Sequence, residues 1–252
     1  MKIALAVNVV SMDRMENLAN IIRLAEKAIA NRSRLILFPE AALTGLVNKD
    51  DPKHDLFLGE TTHGRVIRRL CRLASTEMIW LGIGFLERTR GTLYDSAVLI
   101  NPRGSIVLKY RRVSPGWHGK EADPKFYRHG KDVPVVGTPF GRVGFLICGD
   151  LFDDEIVATV REKRPDLVLF PFARSFEDNR WDTERWEREE KRVYAERVKL
   201  LGATTLMVNY LSEIGGFFGG AMVVSPKGEI IRDLPAGVSG ILVAEIDLSR
   251  KR

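Results

Sequence analysis

Short runs of Val, Ile and Leu alternate with amphipathic segments along almost the whole chain. The first run, KIALAVNVV, predicts a strand, and apolar residues recurring every three or four positions predict a helix from Asp13 to Asn31. The run RLILFPE predicts a second strand, which ends at Pro39, and another helix follows from Gly64 to Ser75. Strands and helices that alternate in this way indicate an α/β architecture in which helices cover the faces of a sheet.

Three strand-like runs then follow one another without a helix between them: MIWLGIGFLE, LYDSAVLI and SIVLKYR. Turns rich in Gly, or of the form Asn-Pro-Arg-Gly, separate these runs, so we expect antiparallel neighbours and therefore mixed sheets. A polar loop from Val113 to Lys131 comes next. Loops of this length in compact domains often line a functional site.

The second half of the chain repeats the alternation of strand and helix. The pattern predicts a strand that ends at Cys148, a helix that begins at about Asp154, and a charged helix from about Trp181 to Leu201. Further strands are predicted in DLVLFPF, ATTLMVNY, FGGAMVVSP, GEIIRDL and GILVAEIDL. Because no internal repeat or flexible linker interrupts the pattern, we expect one domain that spans residues 1–252.

Composition narrows the class of protein. Hydrophobic residues make up 45% and charged residues 29% of the 252 positions, as in ordinary globular proteins. No apolar run is long enough to cross a bilayer, so no membrane span is expected. The net charge of +6 could indicate nucleic-acid binding, but basic and acidic residues are interleaved throughout. We therefore expect no nucleic-acid partner, although a basic binding protein remains the alternative that a gel shift would detect.

The two cysteines differ in their surroundings. Neither lies in a CxxC pattern, so the sequence suggests no disulfide framework and no metal site, and a cytoplasmic location fits. Cys71 lies on the apolar face of a predicted helix and is assigned to packing. Cys148 ends a strand and is followed by Gly149 and a helix start, where the helix dipole favours a thiolate and the Gly149 N–H can reach an oxyanion. A buried, inert cysteine is the alternative.

Two further strand ends carry groups that suit a nucleophilic cysteine. The four histidines form no recognisable Cys-His pattern, but Glu40 follows the apolar strand RLILFPE and would be a base whose pKa burial raises. Lys109 ends the strand SIVLKYR and would supply the cation that an oxyanion needs. Taken singly, each has a simpler explanation, Glu40 as a helix cap or ion-pair partner and Lys109 as a surface lysine.

The chain resembles the nitrilase superfamily of carbon–nitrogen hydrolases. The resemblance covers nearly the whole sequence and is carried by FPEAALTG, LKYRR, Glu121 before KFYRHG, GRVGFLICGDLFDDE, YAER, VNY with Asn209, and FGGAMVVSPKGEII. It implies a four-layer α-β-β-α sandwich with two mixed β-sheets. It also implies that Glu40 is the general base, that Lys109 stabilises the tetrahedral intermediate, that Cys148 is the nucleophile, and that Glu121 helps to position the site.

The resemblance further implies a reaction. It is the hydrolysis of a non-peptide carbon–nitrogen bond in a small amide or N-carbamoyl compound, through a thioester acyl-enzyme, with release of ammonia or an amine. No cofactor and no metal are implied, and a homodimer or higher homo-oligomer is expected. The pair Gly149-Asp150 favours an amidase over an enzyme acting on nitriles. Nitrile hydrolysis and a catalytically idle binding protein remain the alternatives.

Departures from the family pattern lie close to the site. Leu46 stands where a tyrosine is common, Gly149 where an aromatic residue is common, and Asp153-Asp154 where Phe-Pro is common. These differences affect the expected choice of substrate more than the chemistry. The acids that follow Cys148 are expected to cap the next helix and complement its dipole.

Arg174 is the last candidate. It directly follows the strand DLVLFPF and should lie at the same sheet edge as Cys148. Its guanidinium could bind a substrate carboxylate with two hydrogen bonds, which would make the substrate an anionic amide. The alternative is an ion pair with Glu177 or Asp178.

Overall fold

The structure is a computed structural model, and it describes residues 1–176 and 182–248. The α-helices are α1 (Arg14–Ala30), α2 (Pro52–Leu58), α3 (Arg65–Thr76), α4 (Asp154–Glu162), α5 (Thr183–Arg185) and α6 (Lys191–Leu201). A 3₁₀ turn spans Cys148–Phe152, a second one Ile214–Gly216, and a π-helical turn spans Trp186–Glu190.

The strands form two large sheets and one small hairpin. In chain order they are β1 (Lys2–Val7), β2 (Leu35–Leu37), β3 (Trp80–Thr89), β4 (Thr92–Ile100), β5 (Ile106–Arg111), β6 (Val135–Thr138), β7 (Gly141–Phe145), β8 (Leu167–Phe172), β9 (Thr204–Asn209), β10 (Leu211–Ser212), β11 (Phe217–Phe218), β12 (Ala221–Val224), β13 (Ile230–Leu234) and β14 (Gly240–Glu245). One six-stranded sheet has the order β14-β1-β2-β3-β4-β5, and the other has the order β13-β12-β9-β8-β7-β6. Each sheet contains parallel and antiparallel pairs, so both are mixed, as predicted.

Alternation along the strands explains how the layers are held together. In β1, Leu5 packs in the core cluster shared with the second sheet, whereas Ala4 and Ala6 pack with residues of α1 and α3. Small alanines on the outer face allow the helices to approach the first sheet closely. Helices α4 and α6 supply buried residues to the core on the side of the second sheet. The four-layer α-β-β-α sandwich is therefore confirmed.

Most predicted elements are present with bounds shifted by a few residues. The run β3-β4-β5 pairs antiparallel throughout, as the short turns predicted. Helix α1 begins after Asp13, whose side chain accepts hydrogen bonds from the backbone N–H groups of Met15 and Glu16. The helix predicted from Trp181 is divided into α5, the π-helical turn and α6, and Trp181 itself lies outside the described residues.

Helix α2, strand β6 and the hairpin strands β10 and β11 are absent from the sequence-based prediction. Helix α2 has seven residues, too few for a helical period to be evident. The four residues of β6, VVGT, are only partly buried, and β10 and β11 have two residues each. Across the described ranges, no helix combines the length and apolarity that crossing a bilayer requires.

Candidate active site

Three functional side chains follow the carboxyl ends of strands. Glu40 lies three residues after β2, Arg112 directly follows β5, and Cys148 lies three residues after β7. Strand β2 is parallel to β3, and two antiparallel steps make β5 run in the same direction, so Glu40 and Arg112 lie at the same edge of the first sheet. Cys148 comes from the facing sheet, and it lies near enough to Glu40 to raise the pKa of that carboxyl group.

Glu40 is fully buried and closely packed. A methyl group added at Gly84 would lie 2.6 Å from the Cα atom of Glu40, so a glycine in β3 is what lets this segment pass. The next residue, Ala41, has a φ of 44°, in the left-handed region. Burial is the largest reason why the pKa of Glu40 rises from 4.5 to about 8, and the nearby Cys148 adds to it, while Arg112 opposes it. Glu40 can therefore exchange a proton near neutral pH.

Cys148 lies on a sharp turn at the mouth of a pocket. Its φ is 45°, a left-handed conformation that is unfavourable for any residue with a Cβ atom. Its Sγ atom is half-buried and lies 3.5 Å from the carbonyl oxygen of Ala173. The pocket has a volume of about 400 Å³. It is lined by Cys148, Gly149, Phe152, Arg174, Glu190, Val193 and Tyr194.

Arg112 is the cation that contacts Glu40. Its Nη1 donates to Glu40 Oε1 at 3.1 Å, its Nε donates to Ser114 Oγ at 3.0 Å, and its Nη2 donates to the carbonyl oxygen of Pro115 at 2.8 Å. Burial works against the charged form of Arg112, but the neighbouring Cys148, Glu40, Asp95 and Asp150 outweigh it and raise its pKa. The guanidinium therefore stays charged in the interior.

Gly149 makes room for this guanidinium. A methyl group added at Gly149 would lie 2.6 Å from Arg112 Nη2 and 2.9 Å from Ser114 Oγ. In the family that the sequence resembles, an aromatic residue is common at this position. A side chain at position 149 would occupy the volume that Arg112 fills, so the arginine can lie here because residue 149 is glycine.

The structure does not bring Lys109, the predicted cation, to Glu40 and Cys148. Its Nζ atom binds Glu87 Oε1 at 2.8 Å, and its side chain is 38% exposed. Arg111, on the same face of β5, binds the same carboxylate at 2.7 Å. These bonds outweigh the effect of burial and lower the pKa of Glu87. Because side chains alternate along a strand, Lys109 and Arg111 point away from the interior, and the inward position belongs to Arg112.

Glu121 is also not brought to this group. It is exposed on the loop between β5 and β6. That loop packs inward through other residues, with Trp117 and Tyr127 buried and Tyr127 donating to Asp55 Oδ2 at 2.6 Å. The predicted positioning role of Glu121 has no contact in the described residues to support it.

Asp150 connects the cysteine turn to the loop after β5. Its carboxylate accepts hydrogen bonds from the hydroxyl group of Tyr110 at 2.6 Å and from the backbone N–H groups of Val113, Ser114 and Ile147 at 2.7 to 3.1 Å. The expectation that all the acids after Cys148 cap a helix therefore holds only in part. Asp153 is the residue whose side chain caps α4.

Arg174 reaches the same pocket as Cys148, but its guanidinium already has partners. Nε and Nη2 donate to Glu190 at 2.9 and 2.7 Å, and Nη1 donates to the carbonyl oxygen of Ser175 at 2.7 Å. Asn209 fixes the backbone of Arg174 through two hydrogen bonds, at 3.1 and 3.0 Å. Glu177 and Asp178, the alternative partners considered from the sequence, lie outside the described residues.

Asp95 is a buried acid that the sequence analysis missed. It lies on β4 with a fully buried side chain, and its Oδ2 atom is 3.6 Å from Arg112 Nη1. Burial, first of all, and the neighbouring Glu40 raise its pKa well above the ordinary value. An acid in the otherwise apolar run LYDSAVLI was the available signal, because an unpaired charge is costly inside a sheet.

Comparison with known proteins identifies the family. The sequence profile described as carbon–nitrogen hydrolase matches residues 2–252. The chain is 25% identical over 252 residues to the deaminated glutathione amidase of Dictyostelium discoideum, an alignment that covers 94% of this chain and 84% of that protein. It is 24% identical over 255 residues to an omega-amidase of Xenopus tropicalis, with 98% and 88% of the two chains covered.

Solved structures show the same fold. The amidase from Nesterenkonia sp. AN1, described with acrylamide added to its active-site cysteine, superposes with a TM-score of 0.80 at 23% identity, covering 100% of this chain and 96% of the other. A carbon–nitrogen hydrolase from Helicobacter pylori G27 superposes with a TM-score of 0.84 at 21% identity, covering 99% and 90%. With a profile match over nearly every residue and amidase-named relatives along its length, this enzyme belongs to the carbon–nitrogen hydrolase family.

Proposed function

We propose that the protein hydrolyses the carbon–nitrogen bond of a small amide or N-carbamoyl compound through a thioester acyl-enzyme. The observation that carries the proposal is the juxtaposition of Cys148, on a strained turn at a pocket, with the buried Glu40. A thiol next to a carboxyl group that titrates near neutral pH is the pairing that nucleophilic catalysis requires.

The reaction proceeds in two halves. Glu40 takes the proton of the Cys148 thiol, and the thiolate adds to the substrate carbonyl to form a tetrahedral intermediate. Glu40 then gives the proton to the departing nitrogen, the carbon–nitrogen bond breaks, and the acyl group remains on sulfur as a thioester. In the second half, Glu40 takes a proton from water and the resulting hydroxide attacks the thioester. The carbon–sulfur bond then breaks, Glu40 returns the proton to the sulfur of Cys148, and the acid leaves.

Arg112 takes the part that the sequence analysis gave to Lys109. Two observations support this assignment: Arg112 donates a hydrogen bond to Glu40, and Cys148 is among the groups that raise the pKa of Arg112. A guanidinium at this position opposes the negative charge that develops on the tetrahedral oxygen. The N–H group of Gly149 is the second donor, as the position after the nucleophile suggested.

The pocket favours a neutral acyl group over an anionic one. Phe152, Val193 and Tyr194 supply an apolar wall, and Glu190 already holds Arg174 with two hydrogen bonds. A substrate carboxylate would have to displace Glu190 before it could bind Arg174 in the predicted way. Substituting Arg174→Met should therefore change the KM values of matched anionic and neutral amides by similar factors.

The decisive experiment combines turnover with labelling. A panel of small amides, N-carbamoyl amines and nitriles is assayed for ammonia or amine release, and intact mass is recorded for an acyl adduct on Cys148. Cys148→Ala should abolish both turnover and adduct, while Cys71→Ala, a matched control on α3, should preserve both. Unchanged turnover in Cys148→Ala would refute the mechanism. Failure of iodoacetamide to label Cys148 faster than Cys71 would favour the idle binding protein.

A second comparison tests the cation. Arg112→Met should lower kcat/KM by about 10²- to 10³-fold, which is typical when one oxyanion donor is removed. Arg112→Lys keeps the charge and should retain more activity than Arg112→Met. Lys109→Met is the matched control, because Lys109 binds Glu87 and not Glu40, and it should leave kcat/KM nearly unchanged. The opposite order of effects would return the role to Lys109.

We also propose assembly into a homodimer. Phe152, Val193 and Leu200 are between 44% and 51% exposed on the side of α4 and α6. Apolar side chains in this number on neighbouring elements are typical of a surface that a second copy covers. Light scattering at micromolar concentration should give a dimer mass or a multiple of it, and a monomer mass would refute the proposal.

A further inference from the structure

The Glu40 site contains more acid than its cation can neutralise. Glu40 and Asp95 both have fully buried side chains, and both approach the same nitrogen, Nη1 of Arg112, at 3.1 and 3.6 Å. Asp150 is also close, but its carboxylate is satisfied by hydrogen bonds from four donors. Among the residues that the structure describes, Arg112 is the one cation in contact with Glu40 and Asp95. Two buried carboxylates beside one cation are not both ionised, because their repulsion is not screened by water.

The oxygen atoms of the pair show where a proton is needed. Within the described residues, Glu40 Oε2 and both carboxyl oxygens of Asp95 are buried and have no donor at hydrogen-bonding distance. The two carboxyl groups are neighbours, because both approach Arg112 Nη1, and each acts on the pKa of the other. A contact between two carboxyl oxygens is favourable only when one of the two carries a proton. The geometry thus calls for one proton held between the two groups.

The position of the Arg112 guanidinium determines which of the two carboxyl groups stays protonated. Arg112 Nη1 is closer to Glu40 Oε1, at 3.1 Å, than to Asp95 Oδ2, at 3.6 Å. The shorter distance favours the charged form of Glu40, and Asp95 is left as the neutral acid. We propose that Asp95 is a positioning residue that keeps its own proton and donates it in a hydrogen bond to Glu40, so that Glu40 is the carboxylate.

This arrangement has a consequence for the first chemical step. The pKa of Glu40 is about 8, so the reactive form, in which Asp95 is neutral, Glu40 is a carboxylate and Cys148 is a thiol, becomes populated as the pH approaches that value. The thiol proton moves to Glu40, which leaves two neutral carboxyl groups and a thiolate beside the Arg112 guanidinium. Asp95 keeps its proton throughout and touches neither sulfur nor substrate. Its part is to hold Glu40 in the form that accepts the proton.

Other titratable groups near Glu40 and Asp95 are coupled to them electrostatically. The groups whose charges act on Glu40 or Asp95, or respond to them, are Cys148, Arg112, Asp150, Tyr194 and Tyr210. Asp150 raises the pKa of Asp95 and so adds to its preference for the neutral form. The pH dependence measured at this site therefore belongs to the group as a whole, and substitutions are compared with the wild type.

The test uses alkylation of Cys148 by iodoacetamide, because alkylation needs no turnover. The inference rests on the proposed roles of Glu40 and Cys148, but it can fail while the amide assay succeeds, and the reverse also holds. Site-resolved mass spectrometry gives the alkylation rate of Cys148 as a function of pH for the wild type, Asp95→Asn, Asp95→Ala and the exposed control Asp132→Asn. The acid limb of this profile reports the loss of the proton that Glu40 and Cys148 share.

The expected results separate positioning from a merely structural role. An asparagine amide can still donate to Glu40, so Asp95→Asn should leave the acid limb in place, whereas Asp95→Ala should move it to higher pH by about one unit. A downward shift in Asp95→Asn would show that Asp95 is ionised in the wild type and would overturn the proposal. Slower alkylation with an unmoved limb in both variants would also overturn it.

Infrared spectroscopy supplies a direct reading if Asp95→Ala does not fold. A protonated carboxyl group at Asp95 gives a carbonyl stretching band near pH 7. This band should disappear in Asp95→Asn and persist in Asp132→Asn. A wild-type spectrum without a band that depends on Asp95 would refute the proposal.

Discussion

Replacing Glu40 by glutamine should change how the stability of the protein depends on pH. Glu40 is fully buried, and burial and the neighbouring Cys148 raise its pKa from 4.5 to about 8. Below pH 4.5 the carboxyl group is neutral in both the folded and the unfolded state. As the pH rises from there through about 8, the unfolded chain ionises first, so the contribution of the neutral buried acid to stability is progressively lost.

The structure gives the size of this effect. One pKa unit corresponds to about 1.4 kcal/mol, so the interval from 4.5 to about 8 corresponds to on the order of 5 kcal/mol of unfolding free energy. That amount is comparable with the whole stability of many domains, about 5–15 kcal/mol. The variant carries a neutral amide at every pH and does not incur this loss. Its unfolding free energy should therefore rise relative to that of the wild type as the pH increases from acid to about 9.

Urea unfolding followed by tryptophan fluorescence at a series of pH values measures the difference. Glu121→Gln is the matched control, because it makes the same chemical change on an exposed side chain, and its curve should run parallel to that of the wild type. Parallel curves for wild type and Glu40→Gln would refute the reasoning. A wild type that becomes more stable relative to the variant at high pH would refute it as well.

The remaining predictions concern the packing of the site. Gly149→Ala places a methyl group 2.6 Å from Arg112 Nη2 and should lower kcat/KM far more than it lowers the unfolding midpoint; equal losses would contradict the proposed role of the guanidinium. Gly84→Ala brings a methyl group within 2.6 Å of backbone atoms and should destabilise the fold by about 1–3 kcal/mol in urea unfolding, whereas an unchanged midpoint would refute the close approach. Glu190→Gln weakens the hold on Arg174 and should raise kcat/KM for an anionic amide relative to its neutral match; a constant ratio would count against any role of that arginine in binding.

The sheets could be predicted because their signals are local. Apolar runs separated by short turns identify β3, β4 and β5 and their antiparallel pairing, and apolar runs also lead to Glu40 and to Cys148. Each of these signals needs only neighbouring residues. Helix α2 and strand β6 were missed because they are too short to show a period.

The choice among cations could not be made from the end of a strand alone. The sequence LKYRR contains three basic residues in four positions. Which of them faces inward depends on whether the odd- or the even-numbered positions of the strand face the interior. Leu108 and Tyr110 are buried, so even-numbered positions face the interior and Arg112 continues that face. The large apolar side chain at Tyr110 was the available sign that Lys109 faces outward.

Contacts between segments that are distant in the sequence could not be predicted from the pattern of hydrophobic and polar positions. Glu190 lies in a π-helical turn and binds Arg174. No residue spacing in the sequence predicts that turn. Glu121 was chosen by its place in a motif, but the loop folds inward on Trp117 and Tyr127 and leaves Glu121 exposed. Side-chain packing within a loop of this length is set by tertiary contacts, which a one-dimensional pattern does not contain.

The left-handed backbone at Cys148 has a consequence for protein engineering. A residue with a Cβ atom costs roughly 1–2 kcal/mol in this conformation, and glycine avoids that cost. A library selected only for resistance to heat would therefore enrich glycine at this position and discard the nucleophile. The most stable sequence for this fold and the active one differ at the residue that does the chemistry, so stabilisation campaigns should hold Cys148 fixed and screen every round for thiol labelling.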